Sequence, residues 1–209
     1  AEVTGNLSVV SEYLFRGGYE NEGTAVQGGL DYAHESGFYL GYWGSSLGYA
    51  DGGSASGFEN DVYVGFSGEA DAISYDVGLL YYHYTRVSDS DTPELYASIG
   101  TGPVSLGVAY LIDDVAWGNS GDTYVSLGFE SEMPSDFSFS ATAGYYSYAT
   151  DDTNVATTSS SGLKHVDLTL SHPLADTGAD MTVTYMVGGK DRSDTDVEDT
   201  VVLGVHMGF

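Results

Sequence analysis

Residues 198–209 read EDTVVLGVHMGF, and every second position from Val201 through Leu203, Val205 and Met207 to Phe209 is apolar. Alternation with period two is the mark of an extended strand whose two faces meet different surroundings. It recurs along the chain in twelve segments, near 5–16, 25–33, 38–48, 58–67, 73–85, 93–99, 104–112, 121–130, 137–148, 163–172, 180–188 and 198–209. No helical period of useful length competes with it.

The placement of charge decides what the apolar face meets. That face begins Leu7, Val9, Tyr13 and Phe15, passes through Leu30, Val62, Leu79, Val108, Leu127 and Val183, and ends on Phe209, with no Asp, Glu, Lys or Arg on it. The other face carries Glu12, Arg16, Gln27, Asp31, Glu59, Asp61, Asp76, Glu94, Asp122, Glu130, Lys164 and Asp167 among Ser, Thr, Gly and Tyr. Aromatics on the apolar face gather at both segment ends, with Tyr32, Phe38, Phe66 and Phe129 at one and Tyr13, Phe15, Tyr42, Tyr81 and Tyr185 at the other. In hydrocarbon a sheet must close to pair every amide, and each outward charge near the midplane costs roughly 2–4 kcal/mol. A soluble sandwich also hides its apolar face, but it gives no reason for two aromatic bands. The expectation is an all-β, transmembrane up-and-down antiparallel β-barrel of twelve strands, forming one outer-membrane domain over residues 1–209.

The connections sort by length. HESG (34–37), GEADA (68–72), GTGP (100–103), SEMPSD (131–136) and PLADTGA (173–179) are short, and they alternate strictly with mostly longer, acidic ones such as GYADGGSASG, ATDDTNVATTSSSG and GGKDRSDTDVED. A meander of this kind predicts short periplasmic turns beside both termini and longer acidic extracellular loops. The Ala-Glu start is what signal-peptide cleavage leaves, so the chain is expected to be exported to the outer membrane of a Gram-negative bacterium.

Against 31 Asp and Glu stand only 5 Lys and Arg, a net charge of −26, which repels phosphate backbones and argues against nucleic acid as a partner. Without cysteine there is neither a disulfide framework nor a thiolate metal site. The runs DSDT (89–92), IDD (112–114), TDD (150–152) and DRSDTDVED (191–199) resemble calcium ligands in composition but lack EF-hand spacing. They read as solvated loops that attract divalent cations to the mouth, and no cofactor is implied.

Three strands open with an acid two residues before a tyrosine: Asp61 and Tyr63, Glu94 and Tyr96, Asp122 and Tyr124. Spacing of two puts each pair on the lumen face. With Glu12, Glu59 and Asp167 at similar depth they form either a negative ring selecting cations or a hydrogen-bonded plug in which Tyr hydroxyls and Arg16 satisfy the carboxylates. Arg16 is expected to pair with Glu12 or with acids opening the last strand. Ser171, His165 and Asp167 are neighbours on one strand without the turn geometry of a nucleophilic site, so no enzymatic activity is expected. The function expected is a porin-like channel passing small cationic or neutral solutes. The alternative is an occluded structural barrel, or one that binds another envelope protein.

The stretches SEYLFRGG (11–18), QGGLDYAHESGFYLGYWGSS (27–46) and ENDVYVGFSGEADAISYDVG (59–78) resemble the TorF-type porin-like proteins, the Gcw-chp group of bacterial outer-membrane proteins. Their pattern is S-D-Y-x-F-R-G, then Q-G-G-x-D, S-G-x-Y-x-G-x-W and E-x-D-x-Y-x-G, and Glu12 stands where Asp is usual. The motifs cover about the first 80 residues. The resemblance implies an outer-membrane barrel of porin type and brings no catalytic residue with it.

Overall fold

In the computed structural model, which describes residues 1–53, 56–151 and 154–209, the alternating segments close into a barrel. Its wall is β1 (Glu2–Val10), β4 (Ala25–Ala33), β5 (Phe38–Ser46), β6 (Phe58–Ala70), β7 (Ile73–Thr85), β8 (Thr92–Thr101), β9 (Val104–Leu111), β10 (Thr123–Glu132), β11 (Ser138–Ser147), β12 (Ser161–Pro173), β13 (Ala179–Gly188) and β14 (Thr200–Gly208). All twelve run antiparallel to their neighbours, and β14 seals against β1 with Gly208 opposite Asn6 and Gly204 opposite Val10. Phe209 finishes the seam: its amide donates to the Gly5 carbonyl at 2.9 Å and its carbonyl accepts from the Gly5 amide at 2.7 Å. Asp152 of the acidic run 150–152 lies outside the described residues.

The wall strands run from 8 to 13 residues, and at about 3.3 Å per residue with the usual tilt they match an apolar band about 25 Å tall. Leu30, Val62, Val77, Leu95, Ile99, Leu127, Val201 and Leu203 each expose half or more of their surface. A continuous belt of that kind is not compatible with water and is explained by acyl chains. Phe38, Phe66, Tyr75 and Phe129 are exposed toward the short turns, and Tyr42, Tyr81, Tyr110, Tyr145 and Tyr185 toward the long loops, where amphipathic rings suit the interface.

The expected first strand, 5–16, is shorter than the alternation suggested. β1 stops at Val10, and the next residues form an inward hairpin, β2 (Tyr13–Phe15) and β3 (Gly18–Asn21), paired only with each other. Arg16 (φ 48°) and Gly17 (φ 76°) make its two-residue turn, the type that needs positive φ at both central positions and matches strand twist. Tyr13 and Phe15 therefore leave the lipid-facing band to which alternation assigned them. Tyr13 is 7% exposed and packs edge-on to Trp43 at 5.6 Å, and Phe15 packs edge-on to Tyr82 at 5.9 Å. Together with Val10, Ala25, Leu47 and Tyr84 they build an apolar core inside the long-loop half of the barrel. Hiding these rings there from both water and lipid headgroups is the gain that turns the chain inward.

Candidate functional site

The lumen is organised around one cation. The hairpin turn projects Arg16 across the barrel to Glu94 on β8, where its two Nη atoms donate to the two carboxylate oxygens at 2.7 Å each. Glu94, 2% exposed, also accepts from the Tyr82 hydroxyl at 3.0 Å. The guanidinium lies 4.7 Å from the centre of the Phe15 ring and 4.5 Å from that of Tyr124, a planar fork held by a carboxylate and by aromatic faces. The expected pairing of Arg16 with Glu12 or with last-strand acids is corrected, because the turn aims the side chain across the lumen and not along the wall. Glu12 accepts from the Thr200 hydroxyl at 3.0 Å. Gly17 is required twice over, by its positive φ and by His165, whose Cβ would lie 2.9 Å from a Cβ added there.

The other expected residues divide between two environments. On the wall, the Tyr124 hydroxyl meets His165 Nε2 at 2.9 Å, and His165 Nδ1 meets Asp167 at 3.0 Å. A register shift between β11 and β12 beside Gly144 and Tyr145 accompanies this group. The partners of His165 are thus a phenol and a carboxylate on a strand, and Ser171 is not among them. Asp122 belongs instead to a cap of loops. It accepts from the Asn119 amide and the Ala149 amide, both at 2.9 Å, and is bonded by Arg192, whose guanidinium lies over Tyr148 at 4.8 Å. Asn119 ties this cap to the next loop by donating to the Val155 carbonyl at 2.8 Å, and Trp117 Nε1 donates to the Ser90 carbonyl at 3.0 Å. Loop acids serve the same end: Asp51 accepts from Ser88, and Asp191 from the amides of Ser193 and Thr195.

Below the hairpin the lumen stays polar and roomier. The Tyr63 hydroxyl donates to Asp31, that of Tyr39 donates to Asp76 at 2.7 Å, and Tyr39 and Tyr96 share a hydroxyl contact of 2.5 Å. On the opposite wall His206 bridges Ser8 and Thr182 at 2.8 and 2.9 Å. One cavity of about 380 Å³ is lined by Arg16, Trp43, Asp61, Tyr63, Glu94 and Tyr96. A second, of about 420 Å³, lies against Val10, Thr169, Asp180, Thr182 and His206. Glu59, fully buried on β6, accepts from Tyr84 at 3.1 Å through one oxygen, and both its other oxygen and one oxygen of Asp61, two residues on, are solvent-excluded and without a partner. Among the described residues no set of three or more His, Asp or Glu converges to hold a metal ion.

The lumen thus gathers Arg16, Glu59, Asp61, Tyr63, Glu94, Tyr96, Tyr124 and Asp167, while Asp122 sits in the cap and Glu12 at the seam. Sequence reasoning missed Trp43, Tyr39, Asp31 and Asp76 as partners of that group. The period-two pattern places all four on the inner face, but not which wall residue each would meet.

The fold is similar to that of a KdgM porin, with 11% identity, TM-score 0.61 and 99% of each chain covered. A NanC porin matches with 13% identity, TM-score 0.55 and 98% of each chain. The outer membrane phospholipase A from Escherichia coli matches with 15% identity and TM-score 0.51 over 98% of this chain and 89% of that one. At such identities the likeness is one of fold. A search among curated proteins finds no match. The sequence itself, over residues 1–209, matches the family described as "Bacterial protein of unknown function (Gcw_chp)", and the chain belongs to that family.

Proposed function

We propose that this chain is a porin-like channel of the Gram-negative outer membrane, passing small cationic or neutral solutes through one barrel domain. The reading rests on one observation: Asp31, Glu59, Asp61, Asp76, Glu94 and Asp167 line a lumen in which they outnumber the cations, Arg16 at the hairpin turn with Lys164 and Arg192 nearer the cap. Low-dielectric walls focus the field of unbalanced carboxylates and raise the local concentration of cations. Glu59, Asp61, Tyr63, Glu94, Tyr96 and Tyr124 form the selective wall in this reading. Arg16 sets the constriction, Asp167 steadies His165, and Glu12 and Asp122 secure the seam and the cap. The acidic loops add to the effect by gathering cations, divalent ones included, at the mouth. The TorF-type porin grouping suggested by SEYLFRGG, and the shared fold of KdgM and NanC porins, support a channel.

Purified protein in a planar bilayer tests it. In a KCl gradient the reversal potential is expected to show cation preference, and anion preference would refute the reading. The packed hairpin and interlocked loops favour a second reading, an occluded barrel that binds an envelope partner through its loops. Absence of conductance combined with specific capture of such a partner would select it.

A further inference from the structure

We propose that Asp61 is the anchor of a binding subsite for the ammonium group of a small organic cation, in the cavity beneath the hairpin. The inference rests on the channel reading and names the solute class that the lumen holds.

Asp61 points from β6 into the lumen, is 7% exposed, and makes no hydrogen bond among the described residues, with Oδ1 closed off from solvent. A buried carboxylate left this way is strongly disfavoured unless a donor or a counter-charge reaches it. The hydroxyl donors around it are committed elsewhere. One N–H of each Arg16 Nη goes to Glu94, and the hydroxyls of Tyr63, Tyr96, Tyr82 and Tyr84 are held by Asp31, Tyr39, Glu94 and Glu59 respectively. The nearest charged groups besides Arg16 are the carboxylates of Glu59 and Glu94, which repel that of Asp61 and do not pair with it. A cationic donor from outside the chain would supply both the hydrogen bond and the counter-charge that Asp61 lacks.

The cavity describes that donor. Its volume, about 380 Å³, falls within the range of small-molecule sites, about 300–1,000 Å³. Trp43, Tyr63, Tyr96 and Leu80 line it beside Asp61, so a cation with an apolar body finds aromatic surface for its charge and its carbons together. A bare metal ion fits less well, since among the described residues no three carboxylates or imidazoles are placed to hold one. An N–H-bearing ammonium meets the Asp61 carboxylate where it lines the cavity, and an alkyl stem meets the rings.

Isothermal titration calorimetry of the intact barrel in detergent micelles, with n-butylammonium as probe and n-butanol as its neutral counterpart, tests the subsite. Butylammonium is expected to bind about tenfold or more tighter than butanol, the margin of a charge-assisted hydrogen bond, and Asp61→Asn is expected to erase that margin. The comparison on the unaltered chain stands even if the variant folds poorly. Equal affinity for the two probes would mean that Asp61 simply carries a proton, and would overturn the proposal. So would a margin unchanged in a folded Asp61→Asn barrel. Binding is read as heat and not as ion flow, so butylammonium preference without conductance would sink the channel and leave the subsite. Cation-selective conductance with no such preference would do the reverse.

Discussion

Replacing Arg16 with glycine separates the two things that residue does. The substitution removes the guanidinium that neutralises Glu94, a carboxylate only 2% exposed, and stripping one partner from a buried pair costs about 3–5 kcal/mol. It also relieves a non-glycine residue at φ 48°, worth about 1–2 kcal/mol. The net loss, about 2–3 kcal/mol at the middle of these ranges, falls on the hairpin and not on the wall, whose twelve strands keep all their ladder bonds. An opening equilibrium for residues 11–24 should therefore rise roughly 30- to 150-fold. The chain has no cysteine, so a single Leu14→Cys reporter in β2 allows the opening to be read as the rate of labelling by a membrane-impermeant maleimide. Labelling should accelerate by that factor in Arg16→Gly, with single-channel conductance rising alongside. Adding Glu94→Gln should restore most of the protection, because removing both charges leaves no orphaned carboxylate. Labelling unchanged within about twofold, or a double variant as labile as the single one, would refute the idea that the Arg16–Glu94 pair holds the hairpin in place.

Three further outcomes follow from the same geometry. Leu79 sits midway along β7 on the acyl-facing side, opposite Val64 and Leu95, so Leu79→Arg should cost roughly 2–4 kcal/mol in urea-driven unfolding from vesicles, while Ser126→Arg on the lumen face should cost far less. Removing Phe209 deletes both seam bonds to Gly5 and should lower the folded fraction seen as heat-modifiable migration on gels, with the earliest loss of protection at β1 and β14. The Tyr185 hydroxyl at 2.7 Å, and then the Gly188 amide at 2.9 Å, hold the carboxyl of Asp199 below its ordinary range. The sign follows from that depression: the loop anchor is fully present above the unfolded carboxylate value of about 3.9 and is lost as pH falls through the lower folded one. Exchange protection of the Gly188 amide should thus hold through mild acid and vanish only in strong acid, and Asp199→Asn should remove the dependence; protection lost already near pH 5 would contradict this.

The barrel was legible in the sequence because its physics is local. Side chains alternate with period two, and lipid tolerates no charge, so Val62, Leu79, Leu127 and Leu203 fix one face and Asp61, Glu94 and Asp167 the other without reference to any distant contact. Sorting of the turns by length gave strand direction, and terminal alternation ending on Phe209 gave the closing strand. The hairpin at 11–24 was not legible in the same way, since Tyr13 and Phe15 keep the outward parity of β1 and only the Arg-Gly-Gly at 16–18 marks a turn. Whether those rings face acyl chains or fold back on Trp43 and Tyr82 depends on space inside a closed barrel, which exists only once β14 has met β1. The pairing of charges was decided there too. Arg16 is 78 residues from Glu94, and Arg192 is 70 from Asp122. Along the wall strands the alternation determined which side chains enter the lumen; the circumference of the closed sheet decided which of them meet, and left an oxygen each of Glu59 and Asp61 without a partner.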